Sequence, residues 1–449
     1  MARHWRISVL RRLLFLVLLC GCATVPVQNT IDRITSAPAL SNALWAIDIE
    51  DDTGNVIYER NAHTLVIPAS NRKLFAAATV ANCLGLDHQF ATELWLDGRD
   101  LVLRGGGDPS LGGRYLQRRD LIFAPFVDAL RRRGVTSIDG DLIADVSLFD
   151  RVTIPPSWKV GFLGESYAAP IDALAYNENV AGAIIDCPIV QSDPWFVPVR
   201  ADITCGTTTD LTTHATDDNT LLLAGRSAPH ATVVGAIGNA ALYAAQALRD
   251  ALDLAHIPIR GTIRINTTPH TWQGRVAVIE SPPVHQLLTT VLKNSQNLYT
   301  DMLFKDLSTP GSFEASAAIE RMFLTTEVGI DGREFHFVDG SGLAADDLVT
   351  AAATVKLLRW LNAPVRRRAM WDLYSTPAQS GTLSNRLGDL PTRVRAKTGT
   401  LGGVNALSGV IAMPNGSYRY FAIIANHHRA SSAEANAAID AIVREVARD

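Results

Sequence analysis

Three short clusters carry groups that can do chemistry together. The first is Ser70-Asn71-Arg72-Lys73. A serine hydroxyl is a poor nucleophile until a base takes its proton, and a partly desolvated lysine can be that base. Residues three apart share one face of a helix, so a helix starting here sets the hydroxyl beside the amine. Its N-terminus also offers unpaired N–H groups that favour negative charge. The second cluster, Ser295-Gln296-Asn297, holds another hydroxyl and an amide. The third is Lys397-Thr398-Gly399, followed by Thr400. Each alone is common. Ser-x-x-Lys usually marks a helix start with a solvated lysine, Ser-x-Asn a cap or turn, and a strand lysine a guard against edge pairing.

The elements around these clusters decide whether they can meet. Pro68 cannot continue a preceding helix, and the run Leu74–Ala81 is a good helix former, which predicts a buried helix opening at Ser70. Leu44–Ile49 and Val56–Glu59 read as a hairpin leading into it. Val284–Lys293 and Leu298–Leu307 read as helices on either side of Ser295. Val394–Thr400, Ala406–Met413 and Tyr418–Ala425 read as strands. Ser431-x-x-Glu434 is a capping box that opens a last helix, with Ile439, Ile442, Val443 and Val446 on one face. The clusters thus fall on a helix start, an interhelical loop and a strand. Phe335–Val338 leads into the glycine-punctuated loop Asp339–Leu343, and Thr350–Leu361 reads as a further helix.

Between about 86 and 280 the pattern changes and reads as an insertion. A hairpin is expected over Glu93–Leu96 and Leu101–Leu103, a helix over Asp120–Arg133 and a strand over Gly140–Val146. A β-rich lobe follows over 150–235, then a helix over Asn239–Leu254 and a strand over Gly261–Ile265. Gly105-Gly106-Gly107 lacks the Gly-Lys-Ser/Thr ending of a phosphate loop and reads as a tight turn.

The chain has 449 residues, 47% of them hydrophobic, enough for two or three domains with real cores. Its net charge of −4 gives no basic footprint for nucleic acid. Arg131–Arg133 and Arg366–Arg368 read as solvated helix ends. Arg3, Arg6, Arg11 and Arg12 precede the short apolar run Leu13–Leu19, which is a targeting segment too short to span a bilayer. Leu19-Cys20-Gly21-Cys22 resembles a bacterial lipobox with Cys22 as the lipidated residue; the alternative is an ordinary signal peptide cut nearby. Export permits a disulfide, and Cys187 and Cys205, close together in one region, are paired. Cys83 is placed on the buried helix as a small apolar residue. His427-His428 lacks the spacing of a metal site and reads as a loop. Trp158 and Tyr167 either line the mouth of a cleft or pack, and packing is the favoured reading; Tyr299 is part of the helix after Asn297.

The order Ser-x-x-Lys, Ser-x-Asn, Lys-Thr-Gly is shared by β-lactamases and penicillin-binding proteins. The gap from Ser70 to Ser295 far exceeds that from Ser295 to Lys397 and has room for whole domains. The sequence therefore resembles the class C low-molecular-mass penicillin-binding proteins, the penicillin-binding protein 4 type of D-alanyl-D-alanine carboxypeptidase/endopeptidase. Pro68-Ala69-Ser70, Gly107-Asp108-Pro109, Gly140-Asp141 with Ser147 and Phe149, Asp339–Leu343, and Gly381-Thr382-Leu383 with Arg386 match as well.

The resemblance implies an α+β fold. A transpeptidase-like domain, an antiparallel sheet with helices on both faces, would comprise residues 22–85 and 281–449. Residues 1–21 would be the signal peptide. The α/β-rich insertion 86–280 would form two smaller domains, 86–160 with 261–280, and 161–260. It also implies roles. Ser70 would form an acyl-enzyme and Lys73 would take its proton. Ser295 would relay the proton to the leaving amine, and Asn297 would hold Lys73 and the substrate amide. Lys397 and Thr398 would bind the terminal carboxylate, while Ser70 and Thr400 N–H groups, the latter following Gly399, would form the oxyanion hole. The implied partners are peptidoglycan peptides, with β-lactams as covalent inhibitors. No cofactor, metal or nucleic acid is implied, and protein partners are left open. The implied location is the periplasm, on a lipid anchor in the outer membrane since Ala23 follows Cys22. Several relatives carry an arginine where this chain has Ala345, and an aspartate within the stretch read here as Val160–Glu165. Those charges are thought to hold the end of the diaminopimelate side chain. Alternatives are a β-lactamase or esterase on the same scaffold, or a non-catalytic cell-wall scaffold.

Overall fold

The computed structural model describes residues 26–115 and 118–448. Cys22 and the targeting segment lie outside the described residues. The core that positions the three clusters is a five-stranded antiparallel sheet. Its strands are β1 (Leu44–Asp51), β2 (Val56–Arg60), β3 (Val394–Leu401), β4 (Val404–Ala412) and β5 (Tyr418–Asn426). The spatial order is β3-β4-β5-β1-β2, so the strand carrying Lys397 lies at an edge. β4 and β5 are almost wholly buried because both sheet faces are covered.

One face is covered by α1 (Val27–Thr35) and the C-terminal helix Ser432–Val446. Ile31, Ile439, Ile442, Val443 and Val446 share a core there with Trp45, Ile47 and Phe421. α1 falls in a stretch that reads as merely polar; its apolar stripe is regular but has only three residues, Val27, Ile31 and Ile34, with Ile31 foremost in the core. The Ser431–Glu434 capping box is formed, with both reciprocal hydrogen bonds.

The other face holds α2 (Arg72–Cys83), α3 (Val284–Asn294), α4 (Asn297–Lys305), α5 (Phe313–Thr326) and Ala351–Leu361. α5 has no counterpart in the sequence reading. The residues of α2 from Arg72 to Val80 are all buried, whereas Cys83 in its last turn is exposed. This corrects the placement of Cys83 in the interior: the helix emerges from the core one turn before its end. Arg366–Arg368 also differ from expectation. They lie within the short helix Pro364–Trp371, with Arg366 over the Trp360 ring at 3.7 Å and Arg367 over Tyr418 at 4.3 Å.

The inserted segment contains a mixed sheet in the order Ile263–Asn266, Leu142–Asp145, Asp100–Arg104, Ala91–Asp97, Arg275–Glu280. Two of its pairings are parallel, and parallel neighbours need a crossover. The helix Ala124–Arg132 supplies one crossover. The helix Ala240–Leu254 precedes the other parallel strand and packs on Leu142–Asp145 and Ile263–Asn266. It also meets the second lobe, where Tyr243 packs on Tyr176 and Phe196 and donates to the Val180 carbonyl at 2.9 Å. Two three-stranded sheets follow, drawn from Val180–Asp186 to Ala231–Ala236. Cys187 and Cys205 are disulfide-bonded across this lobe, with Cα atoms 5.8 Å apart.

Candidate active site

The chain enters the nucleophile through a tight turn. Ala69 has φ 47°, unusual for a residue with a Cβ, and one turn of 3₁₀ helix, Ala69–Asn71, precedes α2. Ser70 therefore sits just ahead of the α-helix rather than inside its first turn, and Lys73 occupies that turn. The expected pairing survives: Lys73 Nζ lies 3.0 Å from Ser70 Oγ. A neighbouring backbone forces the turn. A Cβ on Gly342, itself at φ 77°, would lie 2.1 Å from the Ala69 carbonyl oxygen. Only glycine lets the 339–343 loop approach so closely.

Lys73 also donates to Asn297 Oδ1 at 2.6 Å and to the Ser341 carbonyl at 2.7 Å. Asn297 begins α4, and Ser295 ends α3 in the left-handed conformation at φ 59°. Two helices thus meet at one loop and present a hydroxyl and an amide to the same space. Lys397 Nζ donates to Ser295 Oγ at 2.9 Å. The two lysines are fully buried, and each holds one of the two serines.

The close fit of β3 against the Ser70 turn brings the third cluster in. A Cβ on Gly399 would lie 2.8 Å from the Pro68 carbonyl oxygen and 3.2 Å from the Ser70 nitrogen. Thr398 Oγ1 donates to Thr382 Oγ1 at 2.8 Å, so Thr382 extends the hydroxyl group beside Lys397. Ser70, Ser295, Asn297 and Thr400 all line one cleft of about 460 Å³. Because β3 is an edge strand, its outward backbone groups can take a peptide as an added strand.

Electrostatics favour a basic Lys73. Burial lowers its pKa to about 8, against the raising influence of Asp301 and Asp339. Burial lowers Lys397 well below the usual lysine range, and the charge of Lys73 adds to this. A substrate carboxylate arriving beside Lys397 supplies the counter-charge that favours its ammonium form. Behind Lys73, Asp301 Oδ1 accepts the N–H groups of Gly340 and Ser341 at 2.8 and 3.0 Å. Burial first, then the charge of Asp339, raises the Asp301 carboxyl far above the ordinary range. Arg72 beside Lys73 forms a buried two-pronged bond with Glu320 of α5 at 2.8 and 2.6 Å, and donates to the Asp339 carbonyl at 2.9 Å.

The insertion forms part of the cleft. Tyr167 lines it, and its carbonyl accepts from Asn297 Nδ2 at 2.7 Å. Of the two readings of Tyr167 the cleft mouth is the one found, in place of the favoured packing role: the residue is 45% exposed, with its ring 5.8 Å from that of Phe162 between centroids. Trp158 is buried as expected, but its Nε1 also donates to Asp339 Oδ2 at 2.8 Å. Glu178 accepts from Gln296 Nε2 at 2.7 Å and pairs with Arg114, tying the 295–297 loop to the insertion. The sequence signals were the aromatic residues Trp158 and Tyr167 in a Pro- and Gly-rich stretch, and the Val160–Glu165 segment that the family resemblance sets near the substrate side chain. Glu165 is exposed and Ala345 half-buried, and neither lines the cleft.

A family model, D-Ala-D-Ala carboxypeptidase 3 (S13), matches residues 27–446. The chain belongs to this family. It is a serine-type peptidase of the D-Ala-D-Ala carboxypeptidase class, with the α+β fold of penicillin-binding protein 4. A D-alanyl-D-alanine carboxypeptidase of Actinomadura sp. (strain R39) is 29% identical over 91% of this chain and 82% of the relative. The crystal structure of penicillin-binding protein 4 (DacB) from Haemophilus influenzae superposes with a TM-score of 0.82 at 21% identity, covering 93% of this chain and 99% of that one. A second structure of the Haemophilus protein, complexed with a novel β-lactam, gives 0.77 at 21% identity over 94% and 100%.

Proposed function

We propose that this member of the family cleaves D-Ala-D-Ala and D-Ala cross-link bonds of peptidoglycan stem peptides through an acyl-enzyme on Ser70. The observation that carries this reading is the pair of bridges Lys73–Ser70 and Lys397–Ser295 converging on one cleft. Lys73 takes the Ser70 proton as the hydroxyl attacks the carbonyl. Asn297 holds Lys73 in position through its amide oxygen. Ser295 passes the proton to the leaving amine, and water then hydrolyses the ester. The N–H groups of Ser70 and Thr400 receive the developing oxyanion, and Gly399 permits their close approach. Lys397 with Thr398 holds the carboxylate of the leaving residue.

A β-lactam offers the same carbonyl and carboxylate, so it is read as a covalent inhibitor; the complex of the Haemophilus relative supports this. The cell-wall substrate agrees with export, and the Arg3–Leu19 segment and the Cys22 motif support a periplasmic enzyme anchored by lipid, with the outer membrane favoured.

Incubation with benzylpenicillin followed by mass spectrometry of the Ser70 peptide tests the nucleophile. A long-lived adduct, absent from Ser70→Ala, is the expected result. Rapid release of hydrolysed penicillin without an adduct would instead identify a lactamase, and neither product would leave a binding scaffold.

Lys397→Ala tests the carboxylate anchor. Truncating one partner of a buried charge pair costs roughly 2–5 kcal/mol, which is about 30-fold to several thousand-fold in kcat/KM for D-Ala-D-Ala peptides. An ester or amide substrate lacking the terminal carboxylate should lose far less. Equal losses on both would contradict the role.

A further inference from the structure

Asp301 stands one turn after Asn297 on α4, so the two side chains share the helix face that meets Lys73. It is fully buried. Its Oδ1 takes the N–H groups of Gly340 and Ser341 at 2.8 and 3.0 Å, and the Ser341 carbonyl takes Lys73 Nζ at 2.7 Å. One carboxyl oxygen thus fixes the backbone that aims the amine. The other, Oδ2, is buried and has no hydrogen-bond partner among the described residues. A buried oxygen kept without a donor calls for a compensating charge nearby.

The other charged groups around Lys73 are already engaged. Arg72, its neighbour on α2, is bonded to Glu320 of α5. Asp339 accepts from Gly342, Ala344 and Trp158 at 2.7, 2.9 and 2.8 Å. Asp347 accepts the Val338 N–H at 2.7 Å. Lys305, further along α4, is bonded to Asp150, and Lys397 on β3 to Ser295.

We propose that Asp301 is the charge partner of the ammonium that forms on Lys73 when Ser70 gives up its proton, and that it aims this amine through Ser341. It is a positioning residue, since it acts through Lys73. The inference rests on Lys73 being the base for Ser70. As Oγ bonds to the substrate carbonyl carbon, the Oγ–H bond breaks and its proton bonds to Nζ. The carbonyl oxygen becomes the oxyanion, and Nζ becomes positive in a site closed to water. Without a carboxylate close by, that cation costs more to form. Burial, then the charge of Asp339, raises Asp301 to about 8, and burial lowers Lys73 to about 8. The two groups therefore change charge over the same pH range and titrate as a pair. The ionised carboxylate favours the ammonium, so without it Lys73 is a weaker base that loses its proton at lower pH.

Asp301→Asn keeps the size of the side chain and a carbonyl oxygen for the two N–H groups, but removes the charge. Acylation by a chromogenic β-lactam, followed against pH, should place the limb due to Lys73 at least about one pH unit lower, and the plateau rate should fall about tenfold. Asp301→Glu keeps the charge and should keep the limb near its original pH. A limb moved equally in both variants, or in neither, shows a residue that only braces the loop and overturns the proposal. If the unsubstituted enzyme has no limb, the reading of Lys73 as the base falls, and the proposal with it. If the limb is present and Asp301→Asn leaves it in place, only the proposal falls. Should Asp301→Asn fail to fold, infrared titration of the carboxyl groups decides. A buried carboxyl should then ionise at a pH higher by about one unit or more in Lys73→Met than in the unsubstituted protein. An unchanged carboxyl titration overturns the pairing.

Discussion

Lys73→Met should remove about 10²–10⁴-fold of the acylation rate, the range for loss of a positioned general base. The methionine fills much the same buried volume, but Ser70 loses the amine 3.0 Å away and Asn297 loses the donor at 2.6 Å. The reacting form of Lys73 is the neutral amine. With its pKa lowered by burial to about 8, that form increases as pH rises through this value. The unsubstituted enzyme should therefore acylate about tenfold more slowly at one pH unit below that pKa than on the plateau above it. Lys73→Met should lose this limb altogether. Stopped-flow acylation by a chromogenic β-lactam between pH 5 and 10 measures both effects. A flat profile for the unsubstituted enzyme would remove Lys73 as the base, as would an unchanged limb in the variant.

Arg72→Met should destabilise the fold by about 3–5 kcal/mol, the cost of breaking a buried ion pair from one side. Arg72 and Glu320 have side chains 0% and 1% exposed, so little water can replace the lost partner. Arg72 is also stacked at 4.0 Å from the Phe337 ring centroid and bonded to the Asp339 carbonyl. The change should therefore loosen the loop that supplies the Ser341 carbonyl to Lys73. Chemical denaturation gives the stability, and Glu320→Gln with Arg72→Met gives the coupling. A loss below about 1 kcal/mol for Arg72→Met, typical of exposed ion pairs, would contradict the buried role.

The core elements that carry the clusters were legible because each rests on local chemistry. Pro68 followed by an alanine-rich run starts a helix whatever surrounds it. Alternating and continuous apolar runs define β3, β4 and β5, and Ser431 with Glu434 caps its own helix. α1 and α5 were not legible for different reasons: α1 is short, with a stripe of only Val27, Ile31 and Ile34 among polar residues, while the apolar period of α5 is weak and neighbouring surfaces hold it. Cys83 was misplaced for a related reason: the apolar run shows that α2 is buried but not where it leaves the core.

The sequence by itself determined the chemistry at this site. Ser70, Lys73, Ser295, Asn297 and Lys397, in that order on those elements, already implied an activated serine and a carboxylate anchor. The tertiary structure decided that Lys397 holds Ser295, since the two lysines and the second serine come together only through packing of α2, the α3–α4 loop and β3. It also decided the far wall of the cleft. Phe162, Tyr167 and Trp158 lie in a stretch with no helical or strand period, so their destination depends on where the inserted segment docks. That docking is set by long-range contacts such as Tyr167–Asn297, Trp158–Asp339 and Asp150–Lys305, which join positions more than a hundred residues apart. Local pattern records which face of an element is apolar; it does not record which distant surface will cover it.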